Sequence, residues 1–127
     1  MLTNSKPVIL IPTVKKDEAK AFYETTLGLT FNYDDGFALV FETGGNMFRV
    51  TPVKEFTPHP FSVLGWEVDD MVSAVSGLTE RGVKFEIYDF PWMEQDAQGV
   101  WAAPDGTKVA WFKDPDGNLL SVAEHAK

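Results

Sequence analysis

The stretch Gly28-Leu29-Thr30-Phe31 recurs as Gly82-Val83-Lys84-Phe85, 54 residues further along, and Val14 and Val68 keep the same offset. Upstream of the first copy, Val8 to Val14 is a short apolar, β-favouring run bounded by Pro7 and Lys15-Lys16-Asp17, which predicts a strand. Asp17 and Glu18 then suit the first turn of a helix. Ala19, Phe22 and Tyr23, followed by Thr26 or Leu27, form its apolar stripe, and Gly28 supplies a left-handed stop. Upstream of the second copy the order repeats. Ser62 to Val68 predicts a strand, Asp69-Asp70 caps a helix with Met71, Val72, Val75 and Leu78 on one face, and Gly82 ends it.

Three strands are expected downstream of each helix. In the first half they are Leu29 to Tyr33, Phe37 to Glu42 and Met47 to Val53, joined by the turn sequences Asp34-Asp35-Gly36 and Gly44-Gly45-Asn46. In the second half they are Val83 to Tyr88, Lys108 to Lys113 and Leu119 to Glu124, the last two joined by Asp114-Pro-Asp-Gly-Asn118. The chain therefore reads as α+β, with two tandem βαβββ modules in a single domain. The first module takes residues 1–54, a linker residues 55–61, and the second module residues 62–127. Gly45-Asn46-Met47-Phe48-Arg49-Val50 matches Gly117-Asn118-Leu119-Leu120-Ser121-Val122, where the offset has grown from 54 to 72. The second module thus carries 18 additional residues, an inserted loop around 89–107 that holds Phe90, Trp92, Met93, Glu94, Gln95, Asp96 and Trp101. Three bulky aromatics argue against disorder there. The insert reads as a wall over a binding cleft, or else as a small hairpin, Val100 to Ala103 then Lys108 onward, whose tryptophans pad a core.

Composition narrows the chemistry. At 127 residues and 44% hydrophobic content, a single globular domain is expected. A net charge of −8 repels a nucleic-acid backbone, so no nucleic-acid partner is expected. Without cysteine there is no thiolate nucleophile, disulfide or Cys-ligated metal. The apolar run Val8-Ile-Leu-Ile11, interrupted by Pro12, is too short for a signal-peptide core or a membrane span, so a soluble, cytoplasmic protein with no membrane partner is expected. His59, in the linker, and His125, near the C-terminus, read as exposed imidazoles without a catalytic setting. No nucleophile elbow, P-loop or dinucleotide fingerprint occurs.

A helix ending Phe22-Tyr-Glu-Thr-Thr-Leu-Gly28, a helix start at Val68-Asp-Asp70 and the closing Trp111-Phe-Lys-Asp-Pro-Asp-Gly-Asn-Leu-Leu120 together resemble the vicinal oxygen chelate superfamily. That superfamily includes glyoxalase I, extradiol dioxygenases, fosfomycin-resistance enzymes and bleomycin-resistance proteins. The resemblance covers essentially the whole chain. It implies two curled modules forming a cupped mixed sheet, with helices outside and a cleft inside. It also implies four metal-ligand positions in the metal-dependent members, which fall here on Val8, Arg49, Val63 and Ser121. Valine offers no lone pair, arginine brings a positive charge, and a lone serine hydroxyl is a weak ligand, so no metal and no cofactor is expected.

Strand alternation then places Leu10, Met47, Thr51, Gly65, Glu67, Leu119 and Ala123 on the cleft face with those four residues. It places Phe48, Val50, Leu64, Trp66, Val68, Leu120 and Val122 against the helices. Arg49 and Glu67 are expected either to pair or to frame a polar ligand together. Glu94-Gln95-Asp96 reads as rim carboxylates or as a solvated loop tip. The candidate ligand-binding set is accordingly Arg49, Glu67, Ser121, Val8, Val63, Met47, Trp92, Met93 and Trp101, with no catalytic residue assigned.

The resemblance implies three functional classes. The first is a metal-free binding protein for a small-molecule ligand, planar or cationic, held in an aromatic-walled cleft. The second is a metal-dependent lyase, isomerase or dioxygenase. The third is an interaction domain without ligand. A homodimer is expected, because open sheet edges need cover.

Overall fold

The computed structural model describes residues 1–126. The chain divides into two compact units, Met1–Thr57 and a second from Pro58 onward. The first unit contains β1 (Ile9–Thr13), α1 (Lys16–Ala21) continued by a π-helical turn (Phe22–Thr26), β2 (Thr30–Asp34), β3 (Leu39–Thr43) and β4 (Asn46–Pro52). Its sheet has the order β1-β4-β3-β2, with β1 parallel to β4 and the other pairs antiparallel. The second unit contains β5 (Leu64–Glu67), α2 (Met71–Glu80), β6 (Trp101–Ala102), β7 (Lys108–Lys113) and β8 (Leu119–Glu124). The order β5-β8-β7-β6 repeats the same plan, again with one parallel pair, β5 and β8. Among the described residues, two helices and two four-stranded mixed sheets make the fold α+β. No helix among the described residues is long and apolar enough to cross a membrane.

Period-two patterning fills each core. In β4, Phe48 and Val50 are fully buried while Met47 is exposed and Arg49 half-buried, because alternate side chains leave opposite faces of the strand. Phe48 meets Tyr23 of the π-helical turn edge-on at 4.9 Å, and Phe41 of β3 lies 5.9 Å from Phe48 and 5.3 Å from Phe31. In the second unit Leu120 and Val122 of β8 and Phe112 of β7 are buried beneath α2, which contributes Met71 and Val75. Trp66 is half-buried and lies over Phe112, on the core side as its register requires.

Local chemistry closes the elements. Gly44 and Gly45 both have positive φ, 58° and 81°, in the two-residue turn between β3 and β4. That backbone requires glycine even though a Cβ at either position would meet nothing. Asp70 caps α2 by accepting from the Val72 amide, and the Glu124 carboxylate accepts from the Met71 amide, tying β8 to the helix start. In the turn before β8 the buried Asp114 accepts from the amides of Asp116 and Asn118 and from Asn118 Nδ2.

Two expectations need correction. α1 is not a regular helix through to Gly28: the Leu27 amide bonds the Phe22 carbonyl five residues back, a widened turn in which Tyr23 is fully buried. Val83 to Tyr88 is not a ladder strand either. It touches β7 only through the Phe85–Phe112 bridge and the bond from the Glu86 amide to the Trp111 carbonyl. The edge beside Lys108 and Val109 is taken by β6, which comes from the insert. A tight turn over Ala103 to Thr107 brings β6 back onto β7 at short loop length, so the hairpin forms locally and the earlier segment keeps only the remaining end of the edge.

Candidate functional site

Cross-strand register puts Gly65, Ser121 and Trp111 side by side on one face of the second sheet, with Glu67, Ala123, Val109 and Trp101 in the next row. Around Trp101 and Trp111 the rings form a closed circuit. Tyr88 stacks on Phe90 at 5.5 Å, Phe90 on Trp92 at 5.5 Å with the planes 3° apart, and Trp92 meets Trp101 edge-on at 6.0 Å. Trp101 then stacks on Trp111 at 6.2 Å, and Trp111 returns to Tyr88 edge-on at 5.8 Å. Phe90 and Trp92 remain 46% and 69% exposed, so the circuit presents flat apolar faces to solvent. An open groove of about 720 Å³ borders two of these rings, Trp92 and Trp101, and is further lined by Glu94, Gln95, Asp96 and Pro104 among others.

The electrostatics are one-sided. Residues 85–107 contain Glu86, Asp89, Glu94, Asp96 and Asp105 and no lysine or arginine. Burial, with the Glu86 carboxylate adding to it, pushes the Tyr88 phenol above its ordinary value, so the ring stays neutral at physiological pH. Glu86 is paired with Lys113 at 3.4 Å.

The other expected site residues are distributed as follows. Trp92 and Trp101 belong to the circuit, and Ser121 shares the sheet face with Trp111, its hydroxyl 2.9 Å from that of Ser62. Met93 does not line an accessible wall. It is 5% exposed, because its bridge to Phe90 turns it inward. Arg49 Nη2 donates to Asp35 Oδ2 at 2.8 Å, and Glu67 Oε1 lies 3.2 Å from His125 Nδ1. The Asp35 carboxylate already accepts from the amides of Phe37 and Ala38, so the β2–β3 turn presents a pre-oriented anion to Arg49. Strand-face bookkeeping passed over it because Asp35 lies in a turn. Val8, Met47 and Val63 are exposed apolar side chains.

The family-implied metal positions do not suit a metal. Val8 and Val63 have no donor atom, the Arg49 guanidinium is a cation bonded to Asp35, and Ser121 is a neutral hydroxyl. Among the described residues no group of three or more His, Asp or Glu side chains is placed to hold an ion.

Arg49 holds the Asp35 carboxyl down to about 2, aided by the two turn amides. A carboxyl depressed in the folded chain contributes stability that is present above its ordinary value near 3.8 and is lost as pH falls toward about 2. In Arg49→Met the Asp35 pKa, followed by NMR, is expected to move up from about 2 toward 3.8, and the acid limb of the melting profile to move up with it. An unmoved Asp35 titration would show that the turn amides alone set its value.

Tyr88, Phe90 and Trp111 were absent from the sequence-derived site. Trp111 was reachable, since the turn at Asp114–Asn118 pairs it with Ser121, already placed on that face.

The chain belongs to the glyoxalase/bleomycin resistance protein/dioxygenase superfamily, whose sequence profile matches residues 7–122. Its fold is shared with a bleomycin resistance determinant encoded on the transposon Tn5 (21% identity, 98% of this chain and 100% of that one, TM-score 0.73). It is shared with a bleomycin-binding protein complexed with bleomycin (21% identity, 96% and 99%, TM-score 0.72). It is also shared with lactoylglutathione lyase from Agrobacterium tumefaciens (18% identity, 99% and 97%, TM-score 0.69). No match was found among the curated proteins. At these identities the likeness establishes the fold, and one fold here carries both a binding protein and an enzyme.

Proposed function

We propose that this chain is a small-molecule binding protein whose second unit takes a flat, positively charged aromatic molecule. The observation that carries the reading is the closed circuit of five rings in a segment with five carboxylates and no basic residue. Ring faces attract cations and stack on planar partners, while the carboxylates favour positive charge over the whole segment. A groove of about 720 Å³ falls within the size range of small-molecule sites. The bleomycin-binding relative supports a binding role on this fold. A metal-dependent lyase, isomerase or dioxygenase is disfavoured by the donor set at Val8, Arg49, Val63 and Ser121.

All four tryptophans, Trp66, Trp92, Trp101 and Trp111, lie in the second unit, so tryptophan fluorescence reads it directly. Titration with proflavine, a planar aromatic cation, is expected to give saturable quenching at micromolar concentrations that weakens as salt is raised. Bleomycin serves as a second probe. Quenching that stays linear to millimolar proflavine, with no response to bleomycin, would remove the binding reading.

A further inference from the structure

Within the insert one polar side chain has all its amide bonding directed at the backbone. Gln95 Oε1 accepts from the Tyr88 amide at 2.7 Å, and its Nε2 donates to the Glu86 carbonyl at 3.0 Å and to the Gly99 carbonyl at 2.8 Å. Its own backbone bridges to Trp101. One side chain thereby replaces the ladder that residues 83–88 lack. It joins the Glu86–Tyr88 segment, whose Glu86 amide is fastened to the Trp111 carbonyl, to the Asp96–Val100 turn that leads into Trp101. Gly99 makes the approach possible. Its φ of +93° and the 3.1 Å that would separate an added Cβ from Phe85 Cβ exclude any other residue without displacement.

We infer that Gln95 is the positioning residue of the aromatic wall: it borders the groove, but its amide is committed to backbone groups, and it sets the spacing of Tyr88, Trp101 and Trp111 by bonding the segments that carry them. The part of this inference that concerns affinity rests on the binding reading above; the part that concerns ring geometry does not. An amide is required because the site presents one donor and two acceptors. A carboxylate would keep the bond from the Tyr88 amide but set an anionic oxygen against two carbonyls, a penalty that protonation relieves by restoring a donor.

The test is Q95E, read by the far-ultraviolet exciton couplet of the stacked Trp101–Trp111 pair and by proflavine affinity, each as a ratio to wild type from neutral pH downward. The ionisable neighbours Glu86, Tyr88, Glu94, Asp96 and Lys113 are common to both proteins, so the ratio isolates position 95. At neutral pH the variant is expected to lose most of the couplet and about tenfold in affinity. Both should recover on acidification, with a midpoint above the ordinary carboxylate value. If wild type binds neither proflavine nor bleomycin, the binding reading falls, and loss and acid recovery of the couplet still support the positioning role. A couplet retained at neutral pH overturns that role, whether or not affinity falls, because Gln95 would then act on the ligand or not at all. Loss of the whole helix and sheet signal with no acid recovery overturns it too, making Gln95 a requirement of the fold instead of the wall.

Discussion

Replacing Trp101 with alanine is expected to weaken proflavine binding roughly ten- to a hundredfold while leaving the fold in place. Trp101 joins the insert's rings to the sheet's, edge-on to Trp92 and stacked on Trp111. Its removal opens the circuit at the point where the insert meets the sheet. The backbone pairing of β6 with β7 at Trp101–Val109 and Ala102–Lys108 uses no side-chain atom and survives the change. Fluorescence titration against wild type, with a thermal melt of each protein, separates binding from folding. Affinity within twofold of wild type would place the ligand away from this wall.

Phe41→Ala is expected to have the largest effect on stability, about 3–5 kcal/mol by urea unfolding. Leu39, Val40 and Phe41 are each no more than 1% exposed, so β3 is covered on both faces. Phe41 is held among Tyr23, Phe31 and Phe48, with ring centroids 6.0, 5.3 and 5.9 Å away. Truncation leaves a void lined by rings that cannot collapse into it without leaving their own contacts. A loss of that size is a large part of the stability of a domain this small. Phe37→Ala, at a site 80% exposed, is the control and should stay within about 0.5 kcal/mol. A cost below about 1 kcal/mol for Phe41→Ala would show that the ring cluster does not hold the first unit together.

Both variants probe features that differ in how far they could be read in advance. Phe41 belongs to a strand whose apolar run between two turn sequences announces burial. The ring circuit was only partly legible: the insert's length and its Phe90, Trp92 and Trp101 suggested a wall or a hairpin, Trp111 was reachable only through its pairing with Ser121, and nothing in their order showed that Tyr88 would close the circuit. Arg49 was placed on the face of β4 opposite Phe48 and Val50, with Glu67 as one expected partner and a ligand as the other, while Asp35 was not foreseen as its acceptor. The face follows from alternation along one strand. The partner depends on where the turn carboxylate of Asp35 is aimed by the amides of Phe37 and Ala38.

From the sequence alone came the duplication at an offset of 54, the βαβββ order in each half, the glycine and Asp-Gly turns, the inward faces of β4 and β8, and, at the positions the family resemblance marks, the side-chain types of Val8, Arg49, Val63 and Ser121. These are properties of local backbone geometry and side-chain type: a period of two, a positive φ, a donor atom present or missing. The hairpin of Val100 to Ala103 with Lys108 onward was one of two sequence readings of the insert; tertiary structure decided that its β6 displaces Val83 to Tyr88 from that stretch of the sheet edge, that Met93 is buried, and that Gln95 gathers Tyr88, Glu86 and Gly99. An irregular segment has no repeat from which its contacts can be counted. Its backbone donors and acceptors go to whichever groups the folded sheet leaves unpaired within reach, and that competition is settled in space.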